Sequence, residues 1–258
     1  MRDLEREALS KFASAEIVRF HQARLARLEA ISLREVLSKK NPYLFKAKNV
    51  VTAFELVSGI LDAFLSSSEE KIFGDFLEEL AIFVASQSCG GRKSSAQGID
   101  LEFDRDGTRY LVSIKSGTNW GNSSQYRALR ANFRQAIIVQ RQAHHGMRVQ
   151  PVLGMCYGRS QTRDVGDFVR LSGQSFWYFL SGDPNLYVDI IEPIGHQAKQ
   201  HNEEFCNKKG ALVNKFTEQF IRDFCTDYAI DWEKLVQFNS GNLTQGDRVL
   251  SDGGCPLL

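Results

Sequence analysis

No stretch of this 258-residue chain is apolar for the roughly eighteen residues that a membrane-spanning helix needs. The opening MRDLEREALSKF also lacks the apolar core of a secretory leader, so a cytoplasmic protein with no membrane partner is expected. The five cysteines, Cys89, Cys156, Cys206, Cys225 and Cys255, are scattered without a C-x-x-C pair. That pattern argues against a disulfide framework and against a structural zinc site. His144, His145, His196 and His201 have no partners at ligand spacing and are assigned to no metal. Excess charge of either sign is missing too: 32 Lys+Arg stand against 31 Asp+Glu, a net +1. A uniformly basic surface is thereby excluded, and any polyanion must be met by local clusters. No phosphate-binding glycine loop and no Ser-His-Asp or Cys-His arrangement is evident. Apolar residues make up an ordinary 43%, enough to bury the core of one large domain or two small ones.

Against these absences, the stretch Gly98 to Gly117, GIDLEFDRDGTRYLVSIKSG, is the most informative. Two alternating runs flank Asp106-Gly107, a strong hairpin signal. With Asp106 and Gly107 as the two turn residues, Arg105 faces Thr108, Phe103 faces Tyr110, Leu101 faces Val112 and Ile99 faces Ile114. One face is then continuously apolar. The other carries Asp100 opposite Ser113, with Lys115 one diagonal step away and Glu102 two residues along its own strand. Opposed Cβ atoms lie about 5 Å apart and diagonal ones roughly 7–8 Å. An acid and a lysine therefore converge on one patch.

This arrangement resembles the PD-(D/E)XK nuclease core: Ile99-Asp100 matches the first half of the motif, and Ser113-Ile114-Lys115 matches the second. Ile replaces the usual Pro, and Ser113 stands where a second acid is expected. Longer strings, Asn41 to Asn49 (NPYLFKAKN), Ile72 to Glu78 (IFGDFLE) and Lys115 to Asn122 (KSGTNWGN), resemble PmeII-type type II restriction endonucleases. The resemblance runs from about Asn41 to about Phe238. It implies an α/β fold with a restriction-endonuclease-like core, a central mixed β-sheet flanked by helices, and N-terminal and C-terminal helical additions. The expected division is a helical arm over 1–40, a nuclease domain over 41–238 and a loosely ordered tail over 239–258.

The resemblance also directs the reading of the site. Hydrolysis of a phosphodiester needs an activated water and stabilised phosphate charge, which hard-oxygen-bound Mg²⁺ supplies, with Mn²⁺ as a substitute. Asp100 is the first ligand candidate, and the Ile114 carbonyl follows from the family's usual arrangement. Lys115 is the residue to orient water and stabilise charge, and Ser113 can offer only a hydrogen bond. In related nucleases a Gly-x-x-x-Glu helix before the hairpin aims its acid into the site, and Gly74 with Glu78 fits. Glu102 competes with Glu78 as the missing carboxylate, since it shares the face of Asp100.

The remaining chain offers local basic and polar clusters. Apolar spacing predicts one or two amphipathic helices up to Leu37, a break at Asn41-Pro42, a helix from Thr52 to Leu65, and a second helix capped by serine that runs from about Ser68 to Ser86. Arg92 and Lys93 lie in a glycine-rich loop before the hairpin, and Asn119 and Asn122 in the loop after it. Gln125 opens a helix on which Arg127, Arg130 and Arg134 form a stripe. Arg159, Gln161 and Arg163, in a polar loop after a buried strand over Val149 to Tyr157, are residue types that read base edges. All eleven are DNA-contact candidates, while for the stripe a solvated face is the plainer alternative. Leu171 to Leu180, rich in aromatics, reads as core, and helix is expected from Asp183 to about Cys225 with an interruption at Pro193. The function expected is that of a type II restriction endonuclease. It would make Mg²⁺-dependent double-strand cuts at a short palindromic site, as a homodimer paired with a cognate DNA methyltransferase. The rivals are a DNA-binding protein of the same fold that has lost cleavage with the acid at position 113, a structure-specific nuclease, and an interaction protein in which Asp100 and Lys115 form an ordinary cross-strand pair.

Overall fold

The Asp106–Gly107 turn folds as its chemistry requires. In the computed structural model, which describes residues 5–143 and 146–243, both turn residues have positive φ (51° and 72°), the geometry of a tight hairpin turn that matches strand twist. The elements in chain order are α1 (Arg6–Ala30), α2 (Leu33–Lys39), α3 (Pro42–Ala47), α4 (Ala53–Cys89), β1 (Arg92–Lys93), β2 (Leu101–Arg105), β3 (Thr108–Lys115) and α5 (Ser123–Ala143). There follow β4 (Arg148–Met155), β5 (Arg163–Asp164), β6 (Val169–Ser172), α6 (Gln174–Ser181), α7 (Leu186–Asp189), α8 (Ile191–Ile194), α9 (Ala198–Phe224), β7 (Cys225–Thr226), β8 (Ala229–Ile230) and α10 (Trp232–Ser240).

Six strands form a mixed sheet in the order β1-β2-β3-β4-β6-β5. The outer pairs are antiparallel, and β3, β4 and β6 run parallel. The hairpin register is the expected one, with Leu101 opposite Val112, Phe103 opposite Tyr110 and Arg105 opposite Thr108. It stops at Leu101. Asp100 leaves the ladder: its amide donates to the Val112 carbonyl (2.9 Å), and its carboxylate takes the Ile114 N–H. Ile99 therefore packs with Leu111, Leu129 and Phe133 beneath α5, not opposite Ile114. Both faces of β3 are covered, as befits a central strand. Leu101, Phe103, Val112 and Ile114 meet Phe76, Leu77, Leu80, Val84, Phe176 and Trp177 on the other side. Each such side chain removed from water contributes about 1.5–3 kcal/mol.

The close fit of α6 to the sheet depends on Gly154 in β4, where a Cβ would overlap the Phe176 ring. Gly154→Ala is expected to destabilise the fold by about 1–3 kcal/mol through overpacking. A urea-denaturation midpoint equal to that of the parent chain would refute this.

Several local readings are corrected. The serines at 66 to 68 start no helix, because α4 is continuous from Ala53 to Cys89. Ser67 and Ser68 instead turn their hydroxyls back to the Ala63 and Phe64 carbonyls, one turn earlier in the same helix. The true cap lies upstream, where the Thr52 hydroxyl accepts from the Glu55 N–H (3.2 Å) and the Glu55 carboxylate accepts from the Thr52 N–H (3.4 Å). Asn41-Pro42 does not merely interrupt: Asn41 caps the short helix α3, with Pro42 in its first turn. Arg92 and Lys93 form the edge strand β1, and the aromatic stretch divides into β6 and α6. The tail from residue 244 and the pair His144-His145 lie outside the described residues.

Two compact units are interleaved in sequence. One comprises the chain up to Arg24 with Glu70–His201 and contains the six-stranded sheet. The other comprises Leu25–Glu69 with the described residues from Asn202 onward, and its core is mostly helical side chain, including Leu37, Phe45, Ile60, Leu61, Phe216, Phe220 and Leu235. There the Asn239 amide donates to the Leu37 and Lys40 carbonyls at the end of α2 (2.7 and 3.1 Å), satisfying groups the helix itself leaves open. Each unit draws on two separated stretches, so neither follows the linear division into arm, domain and tail.

Candidate active site

The point where Asp100 departs from the ladder is where the polar groups gather. Asp100 Oδ2 accepts the Ile114 N–H at 2.6 Å and faces the Ser113 hydroxyl at 3.3 Å. Lys115 bends back so that Nζ donates to the Ile114 carbonyl at 2.6 Å and stands 3.6 Å from Asp100 Oδ2. The end of β3 is held from the other side, since the Cys156 and Tyr157 amides donate to the Lys115 and Ser116 carbonyls, each at 2.9 Å. Asp100 and Lys115 are 19% and 25% exposed in their side chains, so both reach solvent, whereas Ser113 is buried at 1%. The convergence of Asp100, Ser113 and Lys115 read from strand period is present in three dimensions, and the Ile114 carbonyl, implied by the family resemblance, accepts from Lys115 beside them.

Glu78, on α4, lies near enough to Asp100 and Lys115 for their charges to act on its carboxyl. A Cβ on Gly74 would lie 3.7 Å from the Ser116 Cβ, so this turn of α4 runs close to the end of β3. Burial pushes the Glu78 carboxyl above the ordinary glutamate range, and the neighbouring Asp100 charge pushes it the same way, while Lys93 and Lys115 pull it back. Glu102 is engaged elsewhere. Its carboxylate pairs with Arg92 at 2.7 Å and accepts the Ser94 hydroxyl at 3.2 Å, and the residue is only 8% exposed.

The basic and amide candidates are distributed unevenly. Arg92 is tied to Glu102, and Lys93 to Glu79 at 2.9 Å. Arg130 and Arg134 both meet Asp167, at 3.0 and 3.1 Å, while Arg127 is exposed on the same helix. Asn122 and Gln125 make a capping box for α5: the Asn122 side-chain oxygen accepts the Gln125 N–H (3.0 Å) and the Gln125 side-chain oxygen accepts the Asn122 N–H (2.9 Å). That role was legible as Asn-x-x-Gln before an apolar helix. Asn119, Arg159, Gln161 and Arg163 are exposed on loops or the edge strand β5. Arg159 borders a cavity of about 530 Å³ lined by Tyr157, Gly173, Gln174 and Trp177. Tertiary structure adds Trp120, whose ring centroid lies 5.5 Å from Lys115 Nζ, a placement that no periodicity announced.

The donor set suits a hard cation. The Lys115 ammonium already lies between the Ile114 carbonyl and the Asp100 carboxylate, so positive charge is accommodated there. Among the described residues no group of three His, Cys, Asp or Glu side chains could hold a metal. Two carboxylates and one carbonyl, with water for the rest, is the kind of shell that Mg²⁺ accepts.

A six-stranded mixed sheet flanked by helices, with β3 of this hairpin paired to the parallel strand β4 at its centre, defines a restriction-endonuclease-like fold. Residues 7–202 match the family of type II restriction endonuclease EcoO109I, and the chain belongs to that family. It is therefore a restriction enzyme of type II, a DNA-directed nuclease of the hydrolase class. No curated protein matches the sequence. No described helix is long and apolar enough to cross a membrane.

Proposed function

We propose that the protein makes Mg²⁺-dependent double-strand cuts at a short palindromic site in duplex DNA, with Mn²⁺ able to substitute. The observation that carries this reading is the Lys115 ammonium standing 2.6 Å from the Ile114 carbonyl and 3.6 Å from the Asp100 carboxylate. Asp100, Glu78 and the Ile114 carbonyl would hold the cation, which when bound supplies a more acidic water and a polarised phosphate. Lys115 orients the attacking water and neutralises charge that develops on the phosphate. Ser113, fixed against Asp100, contributes a hydrogen bond and no charge. The strings at 41–49, 72–78 and 115–122 support a PmeII-type enzyme. A homodimer follows from the two-fold symmetry of a palindrome, and a partner methyltransferase and a cytoplasmic setting follow from the role of restriction.

Plasmid DNA incubated with the protein and Mg²⁺ tests the proposal. Discrete fragments are expected, a smear would indicate a structure- or end-directed nuclease, and intact DNA would favour the second reading. That second reading, a binding protein that has lost cleavage, is favoured by Ser113, which leaves the strand without its second acid.

The stripe on α5 gives a further expected outcome. Replacing Arg127, Arg130 and Arg134 by Ala should weaken binding to all sequences alike. The logarithmic salt slope should fall by about 0.9 per lost phosphate contact. An unchanged slope in binding measured across a salt series would return the stripe to a solvated face, with Arg130 and Arg134 held by Asp167.

A further inference from the structure

The loop from Ser116 to Asn122 is held more firmly than a simple connection requires. At Gly117 the space of a Cβ is filled by the Tyr157 ring. Gly121 has φ +102°, and a Cβ there would lie 2.7 Å from the Tyr126 ring, so only glycine permits this path. Asn122 is locked into the cap of α5. Between these fixed points Trp120 meets Tyr126 edge to face, with centroids 5.2 Å apart and planes at 63°. The Lys115 ammonium stands over the Trp120 ring, 5.5 Å from its centroid.

We propose that Trp120 is the positioning residue for Lys115, keeping its ammonium in the site over the indole face when a divalent cation takes the Ile114 and Asp100 oxygens. The proposal rests on the nuclease reading above. Its reason is a conflict visible in the geometry: the two oxygens that now hold Lys115 are those assigned to the cation. Two positive charges cannot share them without repulsion, so the ammonium must loosen from at least one. A lysine stem has four flexible carbons, and an ammonium released from its oxygens moves readily to bulk water. An aromatic face attracts a cation through its ring quadrupole, and indole does so best. A hydrated divalent ion on oxygen ligands does not compete for that face, so Trp120 is an anchor that survives metal binding.

Steady-state plasmid cleavage by Trp120→Phe, Trp120→Tyr and Trp120→Leu, with Lys115→Ala alongside, tests this. Trp120→Leu should lower kcat roughly tenfold with little change in KM, while the two aromatic variants recover much of the loss. A readout independent of cleavage is reductive methylation of Lys115, followed by peptide mass with and without Ca²⁺. Ca²⁺ should leave Lys115 protected in the parent chain and raise its labelling several-fold in Trp120→Leu. A Trp120→Leu enzyme with parental kcat, equal rates for the Leu and Phe variants, or labelling indifferent to Trp120 would overturn the proposal. If the Leu variant does not fold, fluorotryptophan incorporation decides, because it weakens the ring quadrupole at nearly constant shape. The parent chain should slow and the Trp120→Phe chain should not, whereas equal slowing overturns the proposal. Normal cleavage by Lys115→Ala would instead refute the site reading beneath it.

Discussion

Asp100→Asn is expected to leave plasmid DNA uncut while the protein still binds duplex DNA in the presence of Ca²⁺. The substitution is nearly isosteric. The asparagine oxygen can still accept the Ile114 N–H that Asp100 now takes at 2.6 Å, so the end of the hairpin should keep its shape. What disappears is the negative charge beside the Lys115 ammonium and the anionic oxygen for a cation. Lys115→Ala is expected to be as damaging for the complementary reason, since it removes the positive charge from the phosphate's side of the site. Loss of a positioned acid–base or charge-stabilising group costs on the order of 10²–10⁴ in rate. Single-turnover cleavage rates and a gel-shift series measure the two halves of the expectation. Near-parental turnover by either variant would remove that residue from the site.

The second large effect concerns the carboxylate that Ser113 does not provide. Glu78→Gln should raise the Mg²⁺ concentration needed for cleavage steeply and cut the rate by orders of magnitude, because a single carboxylate holds the cation weakly. Glu102→Gln should do much less to catalysis, since that side chain is already committed to Arg92 and Ser94. Its expected cost is to stability, roughly 1 kcal/mol for a pair with one exposed partner. The reverse ranking in Mg²⁺ titrations would move the second ligand to the strand. A stability measurement without metal adds an independent sign. The folded-state pKa of Glu78 is raised, chiefly by burial, so the folded protein loses stability as pH rises through that value and the group ionises. In metal-free buffer Glu78→Gln should therefore melt above the parent chain near neutral pH, with the difference closing in acid. A site strained in this way without its cation is a usual cost of function. A Tm difference that is absent at neutral pH, or that opens in acid instead, would show that Glu78 is not held in this way.

Much of this site was readable in one dimension, and the reasons are local. Strand side chains alternate with period two, and Asp106-Gly107 sets the register of the hairpin, so the meeting of Asp100, Ser113 and Lys115 needed no knowledge of the remaining chain. Gly74 and Glu78 were readable only as a spacing. That the spacing brings α4 against Ser116 depends on how the helix packs across the sheet. Other assignments turned on partners distant in sequence. Glu102 shares a strand face with Asp100, yet Arg92 and Ser94 claim it, and Asp167 claims Arg130 and Arg134. Ser66 to Ser68 carry the composition of a helix cap, but a hydroxyl satisfied by the carbonyl one turn back serves a continuous helix equally well. By itself, then, the sequence determined the hairpin, its register and the pairing of an acid with a lysine, because each follows from backbone period and turn chemistry over a few residues. Only the tertiary structure decided that Glu102 is taken up by Arg92 and Ser94 and that the Trp120 ring stands beside the Lys115 ammonium, because side-chain partners are set by packing and not by period.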